Sequence, residues 1–177
     1  AASDNLGIGR NVFAALTSAD NSVGLGSLAL NALTSGTGST AVGYGALYAV
    51  TTQTYNTAIG YWAGAGIGNG GNNVAVGDSV LGTSNSASEN TGVGGQALRK
   101  NSGGNANTAV GYVALYNVTG AAYNTALGRG AGYLVTGASN ICLGHEAGET
   151  ITSGSNNVVI GGVDVASATA DDQLVIS

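Results

Sequence analysis

A chain of 177 residues fits one domain or one repeat array, and only 7% of it is charged. Four basic residues against nine acidic ones give a net charge of -5, too little positive charge to neutralise a run of phosphates, so no nucleic-acid partner is expected. No apolar stretch reaches the roughly 18 residues of a membrane span, which predicts no membrane insertion, and the single cysteine leaves no intrachain disulfide.

Glycine numbers 32, and the glycines fall on a period, which excludes disordered low complexity. From the N-terminus, a five-residue unit reads NLGIG at Asn5, SVGLG at Ser22, STAVG at Ser39, NTAIG at Asn56 and NVAVG at Asn73. It continues as NTGVG at Asn90, NTAVG at Asn107, NTALG at Asn124, NICLG at Asn140 and NVVIG at Asn157. A partial unit, QLVIS, starts at Gln173. The step is 17 residues except for 16 between Asn124 and Asn140 and again before Gln173. No linker interrupts this run, so residues 1–177 are read as one array. The opening AASDNLGIGR has no charged region followed by an apolar one, so no signal peptide is expected there.

Each column has its own chemistry. The first is Asn or Ser, which suits a turn. The second is mostly β-branched, as strands prefer. The third is small, apart from Cys142 and Val159, and Cys142 is expected to be a small buried residue. The fourth is always aliphatic: Ile8, Leu25, Val42, Ile59, Val76, Val93, Val110, Leu127, Leu143 and Ile160. The fifth is always glycine: Gly9, Gly26, Gly43, Gly60, Gly77, Gly94, Gly111, Gly128, Gly144 and Gly161. Strand side chains alternate faces. Columns two and four therefore predict a bulky face with the fourth-column aliphatics as core, and columns three and five a flat face that admits another backbone.

Three residues past the repeat glycine Ala or Val recurs, as at Ala46, Val80, Ala97 and Ala114, followed by Leu at Leu30, Leu47, Leu81, Leu98 and Leu115. This predicts a second short strand. A third apolar position follows as Leu16, Leu33, Val50, Ile67, Val118, Val135 and Ile151. One coil thus holds two or three short strands and two or more turns. Parallel stacking at roughly 4.8 Å makes ten coils a rod of about 48 Å. A helical array is excluded because a glycine in every unit would cost about 1 kcal/mol each. So thin a coil buries little apolar area by itself, which predicts association of chains through the flat Ala/Gly face.

Chemistry is sparse. His145 is the only histidine and occupies a variable column, so a surface residue is expected and a zinc site is not. The acids follow no calcium-loop spacing, and Asp171-Asp172 reads as a solvated turn. GAGIGNGG at Gly64 to Gly71 lacks the GK[ST] ending of a phosphate loop. No catalytic residue, metal or cofactor is expected, and the chain is not read as an enzyme.

The aromatic residues align. Tyr44, Tyr61 and Tyr112 share one column, Tyr48, Tyr116 and Tyr133 a second, and Tyr55 and Tyr123 a third. Ala41 to Gly64 is similar to Ala109 to Gly132, four units later, which indicates duplication of a four-unit block. The candidate glycan contacts are Tyr44, Tyr48, Tyr61, Trp62, Tyr112 and Tyr116, whose rings offer amphipathic faces to sugars. The competing role is packing over coil edges or between chains. The Thr column (Thr17, Thr34, Thr51, Thr119, Thr136, Thr152, Thr169) raises ice binding, but the column two residues earlier is Ala, Gly, Lys, Asn or Leu, and no second Thr column completes a flat face.

The five-residue units resemble the head repeats of trimeric autotransporter adhesins, whose motif is similar to N-S-V-A-I-G. They are still more similar to bacteriophage tail-fibre repeats of the form NTAVGYxALYxxTG, matched by Asn107 to Gly120. The similarity covers Asn5 to about Gly161. It implies a left-handed parallel β-roll, three chains about one axis, on a virion surface. Other fibre or tail components, and a host cell-surface glycan or protein, are the implied partners. The 17-residue period is longer than that of the adhesin heads and favours the phage fibre over a bacterial surface adhesin. The fold class is therefore all-β, a parallel β-solenoid of about ten coils, expected to be homotrimeric.

Overall fold

The computed structural model describes residues 1–84 and 86–177. Its strands are β1 (Leu6–Ile8), β2 (Val23–Leu25), β3 (Thr40–Val42), β4 (Thr57–Ile59), β5 (Val74–Val76), β6 (Thr91–Val93), β7 (Thr108–Val110), β8 (Thr125–Leu127), β9 (Ile141–Leu143), β10 (Val158–Ile160) and β11 (Leu174–Ile176). They form one 11-stranded parallel sheet in strict chain order. Like pairs with like: Thr40 with Thr57, Ala41 with Ala58, Val42 with Ile59. The protein is a parallel β-solenoid. The shortened unit does not break register, because Thr125 still pairs with Ile141.

Each coil has one strand of three residues, and turns complete the circuit. Among the described residues the expected second strand is absent. Leu30, Leu47, Leu81, Leu98 and Leu115 have φ between 47° and 53°, the left-handed region, and this reverses the chain where a strand would run straight. That conformation costs an L-residue about 1–2 kcal/mol. Full burial of a leucine contributes about 1.5–3 kcal/mol, which offsets it, and all five leucines are fully buried. The turns still bond coil to coil, as in Leu30 N–H to Ala46 O at 3.0 Å and Thr34 N–H to Thr51 O at 2.8 Å.

The expected assignment of strand faces is inverted. The third-column residues Ala41, Ala58, Ala75, Ala109, Ala126, Cys142 and Val159 point inward and are fully buried. They meet the Leu column and Leu33, Val50, Ile67, Val118, Val135 and Ile151 in one continuous core. The fourth-column aliphatics line the outside: Ile8 is 62% exposed, Leu127 53% and Ile59 43%, and Leu25, Val42, Val76, Val93, Val110 and Leu143 are half-buried. Ile160 is also exposed. The physical reason is volume. A coil this narrow closes only over small inward side chains beside the turn leucines, so the larger members of the alternation face out.

The Asn column is a buried ladder rather than an ordinary surface turn. Asn56, Asn73, Asn90, Asn107, Asn124, Asn140 and Asn157 are buried. The Asn73 Oδ1 accepts from the Asn90 backbone N–H at 3.0 Å, and the pattern repeats up the stack. The ladder runs on to Gln173, whose N–H reaches Asn157 Oδ1 at 2.9 Å. The unusual backbone angle falls on the preceding residue, for example Tyr55 at 60° and Tyr123 at 64°. The repeat glycines act as expected. A Cβ on Gly94 (φ 113°) would stand 2.7 Å from the Gly111 carbonyl of the next coil.

Candidate functional site

The aromatic residues of coils three and four are the densest chemical feature on the surface. Trp62 packs edge-on against Tyr44, with ring centroids 5.4 Å apart, and against Tyr48 at 5.5 Å. Tyr44 stacks on Tyr61 at 5.7 Å, and Tyr61 meets Trp62 at 6.2 Å. The register explains this cluster, because column mates on successive coils lie one strand spacing apart. A glycine seats the indole. A Cβ on Gly45 would lie 2.5 Å from Trp62 Cε3, so the ring covers bare backbone there. Trp62 is half-buried, while Tyr44 and Tyr61 remain 41% and 57% exposed.

Beside this cluster opens a cleft of about 360 Å³, lined by Tyr61, Trp62, Ala65, Ser79, Gly82, Thr83 and Arg99. It opens where coil five carries a small residue, Ser79, between two large ones of the same column, and Gly82 beside it. Ser79 occupies the column of Trp62 and Gln96, and Gly82 that of Ala65 and Arg99. Arg99 closes the far side. Its Nη1 donates to Gln96 Oε1 at 3.2 Å, and among the described residues it forms no ion pair. Next to it, Lys100 lies over the Tyr116 ring, 5.1 Å from the centroid.

The second block differs. Tyr112 is 52% exposed, and Tyr116 stacks on Tyr133 at 5.2 Å. Arg129 and Gly130 replace Tyr61 and Trp62, so Tyr112 and Tyr116 do not join an aromatic cluster like that of the first block. A smaller cleft of about 190 Å³ is lined by Val113, Arg129, Gly130, Tyr133, Glu146 and Glu149. Arg129 there pairs with Glu146. His145 is on the surface, within 3.1 Å of Arg129 Nη1.

The other features single out no chemistry. Asp171 Oδ1 accepts from the Ser155 N–H at 2.7 Å, as a turn residue does. The hydroxyls of Thr17, Thr34 and Thr152 donate to carbonyls of the next coil at 2.9–3.1 Å, so they bind backbone. The Cys142 thiol is buried against the core and pushed up to about 12 by that burial, with the charge of Asp164 adding to it. Among the described residues no three metal-ligating side chains gather.

Of the six aromatic candidates offered by the sequence, Tyr61 and Trp62 line the larger cleft, and no sequence column pointed to Arg99, Ser79 or Thr83. The missing signal was the gap, a small residue in one coil flanked by large ones in the same column.

Comparison of the chain with family models, curated proteins and solved structures returned no match. Functional assignment therefore rests on the geometry above.

Proposed function

We propose that this protein is a non-enzymatic segment of a trimeric fibre on a virion, a rigid shaft or head that serves host attachment. The observation that carries the reading is the outer face of the sheet. Each of the 11 strands presents two outward residues, and none is charged. The fourth column is aliphatic throughout, and large members of both outward columns are open to solvent, including Leu6, Ile8, Ile59, Val74, Leu127 and Ile141.

A continuous apolar stripe of this kind is an interaction surface on a soluble protein. Covering the remaining exposed half of one such aliphatic contributes about 1 kcal/mol. Its period matches the coil, so the complementary surface with the same repeat is another copy of this chain. Three copies about one axis would cover every stripe at once, as the resemblance to fibre and adhesin repeats implies. The role is mechanical. Stacked backbone bonds and the Asn ladder stiffen the rod, which holds contacts at a distance from the particle.

Sedimentation at micromolar concentration is expected to give three times the 17.0 kDa chain mass. Val110→Asp with Ile59→Asp places carboxylates on the stripe and is expected to yield monomers. A monomeric mass for the unaltered chain would overturn the reading. A bacterial surface adhesin head is the second reading, favoured by the similarity to the adhesin motif. Antibody labelling of virions against labelling of the cell envelope separates the two.

A further inference from the structure

We propose that the cleft spanning coils four to six binds a saccharide bearing a carboxylate, with the ring stacked on Trp62 and the anion held by Arg99. This goes beyond the fibre reading, because the site is complete within one chain.

Three observations carry it. First, the aromatic side is preorganised. Trp62 is fixed between Tyr44 and Tyr48 and seated on Gly45, so little side-chain freedom is lost when a ligand stacks on it. Sugar rings have one face of C–H groups, which suits an exposed aromatic plane.

Second, the floor is polar and small. Ser79 and Thr83 supply hydroxyls, and Gly82 leaves the space open. The Thr83 hydroxyl donates to the Arg99 carbonyl at 2.8 Å, which leaves its oxygen free to accept. A purely apolar ligand would offer these hydroxyls no further hydrogen bond. The distance from coil four to coil six is about two strand spacings, ~9.6 Å, the scale of one substituted sugar ring.

Third, the charge is specific. The chain holds only four Lys and Arg residues against nine acids, yet Arg99 lines this cleft with no acid in the lining. Asp78, next to Ser79 in sequence, is outside it. The guanidinium is steadied by Gln96 and keeps further N–H groups free for a two-pronged bond to a carboxylate. One guanidinium suits a single carboxylate better than a polyphosphate. In the duplicated block the corresponding cleft has lost the indole and gained Glu146 and Glu149, and its one arginine, Arg129, is already paired with Glu146.

The test is titration of the intact protein, followed by saturation-transfer NMR and calorimetry, with a glucuronate-terminated oligosaccharide and its glucose-terminated counterpart. The acidic probe is expected to bind about tenfold tighter than the neutral one, a gap that narrows in high salt. Arg99→Gln keeps the fold and should abolish the gap. Trp62→Ala should remove binding of both probes, and Tyr123→Ser, distant in the array, should change neither. Equal binding of the two probes, no binding at millimolar ligand, or an unchanged gap in Arg99→Gln would each overturn the proposal. Native mass is measured on the same samples. A trimer that binds neither probe sinks the site and leaves the fibre reading. A monomer that discriminates between the probes does the reverse.

Discussion

Asn90 donates twice to a single atom: its backbone N–H and its side-chain Nδ2 both reach Oδ1 of Asn73, at 3.0 and 3.2 Å. Asn73 in turn gives its Nδ2 to Asn56 Oδ1 at 3.1 Å and to the Ala87 carbonyl at 2.9 Å. These groups are buried, so each bond lost leaves a polar atom that water cannot reach.

Asn73→Ala is therefore expected to destabilise the array by about 3 kcal/mol, since it strands the Asn90 donors and the Ala87 acceptor. Asn73→Ser should cost less. Ser22 and Ser39 already hold the ladder with one hydroxyl each, accepting backbone N–H groups at 3.3 Å. Denaturant melts give the energies. Hydrogen exchange should show the Asn90 amide accelerated first, and equal protection in wild type and Asn73→Ala would refute the ladder's role.

Gly94→Ala tests the glycine column. Its φ of 113° is strained for any L-residue, and the added methyl would overlap the Gly111 carbonyl of the next coil at 2.7 Å. The expected loss is about 3 kcal/mol. It should concentrate at the junction of β6 and β7. A melt within 0.5 kcal/mol of wild type, about the scatter of a neutral surface change, would contradict this.

Cys142 predicts a pH dependence. Burial raises the thiol from 9.0 to about 12, so above pH 9 the unfolded chain releases a proton that the folded chain keeps. Stability from this group is complete below pH 9. It falls as pH rises toward 12, by about 1.4 kcal/mol per pH unit. The slope is read as wild type minus Cys142→Ala, which cancels other titrations. The thiol should also resist a disulfide reagent at pH 8 until the protein is unfolded. Fast labelling of the folded protein would contradict its burial.

The period, the strand positions and the role of glycine were legible in the sequence because they are local and repeated. Ten units in one register specify a solenoid with no knowledge of its interior. The same columns misled about direction. Alternation says that Val42 and Ala41 point opposite ways, but not which way is in. It also concealed the turn at Leu47, because a leucine in the left-handed region looks the same as a leucine in a strand.

By itself, then, the sequence determined a stacked coil of 17 residues, its register, and the columns of Asn, Gly and aromatic residues. Only the tertiary structure decided that the third-column alanines point into the core and the fourth-column aliphatics face out. Closure of so narrow a coil is a constraint on total interior volume, and no single column carries it. The tertiary structure also decided the cleft at Trp62 and Arg99. That site depends on side chains two coils apart meeting across Ser79 and Gly82, a relation that exists only once the coils are stacked.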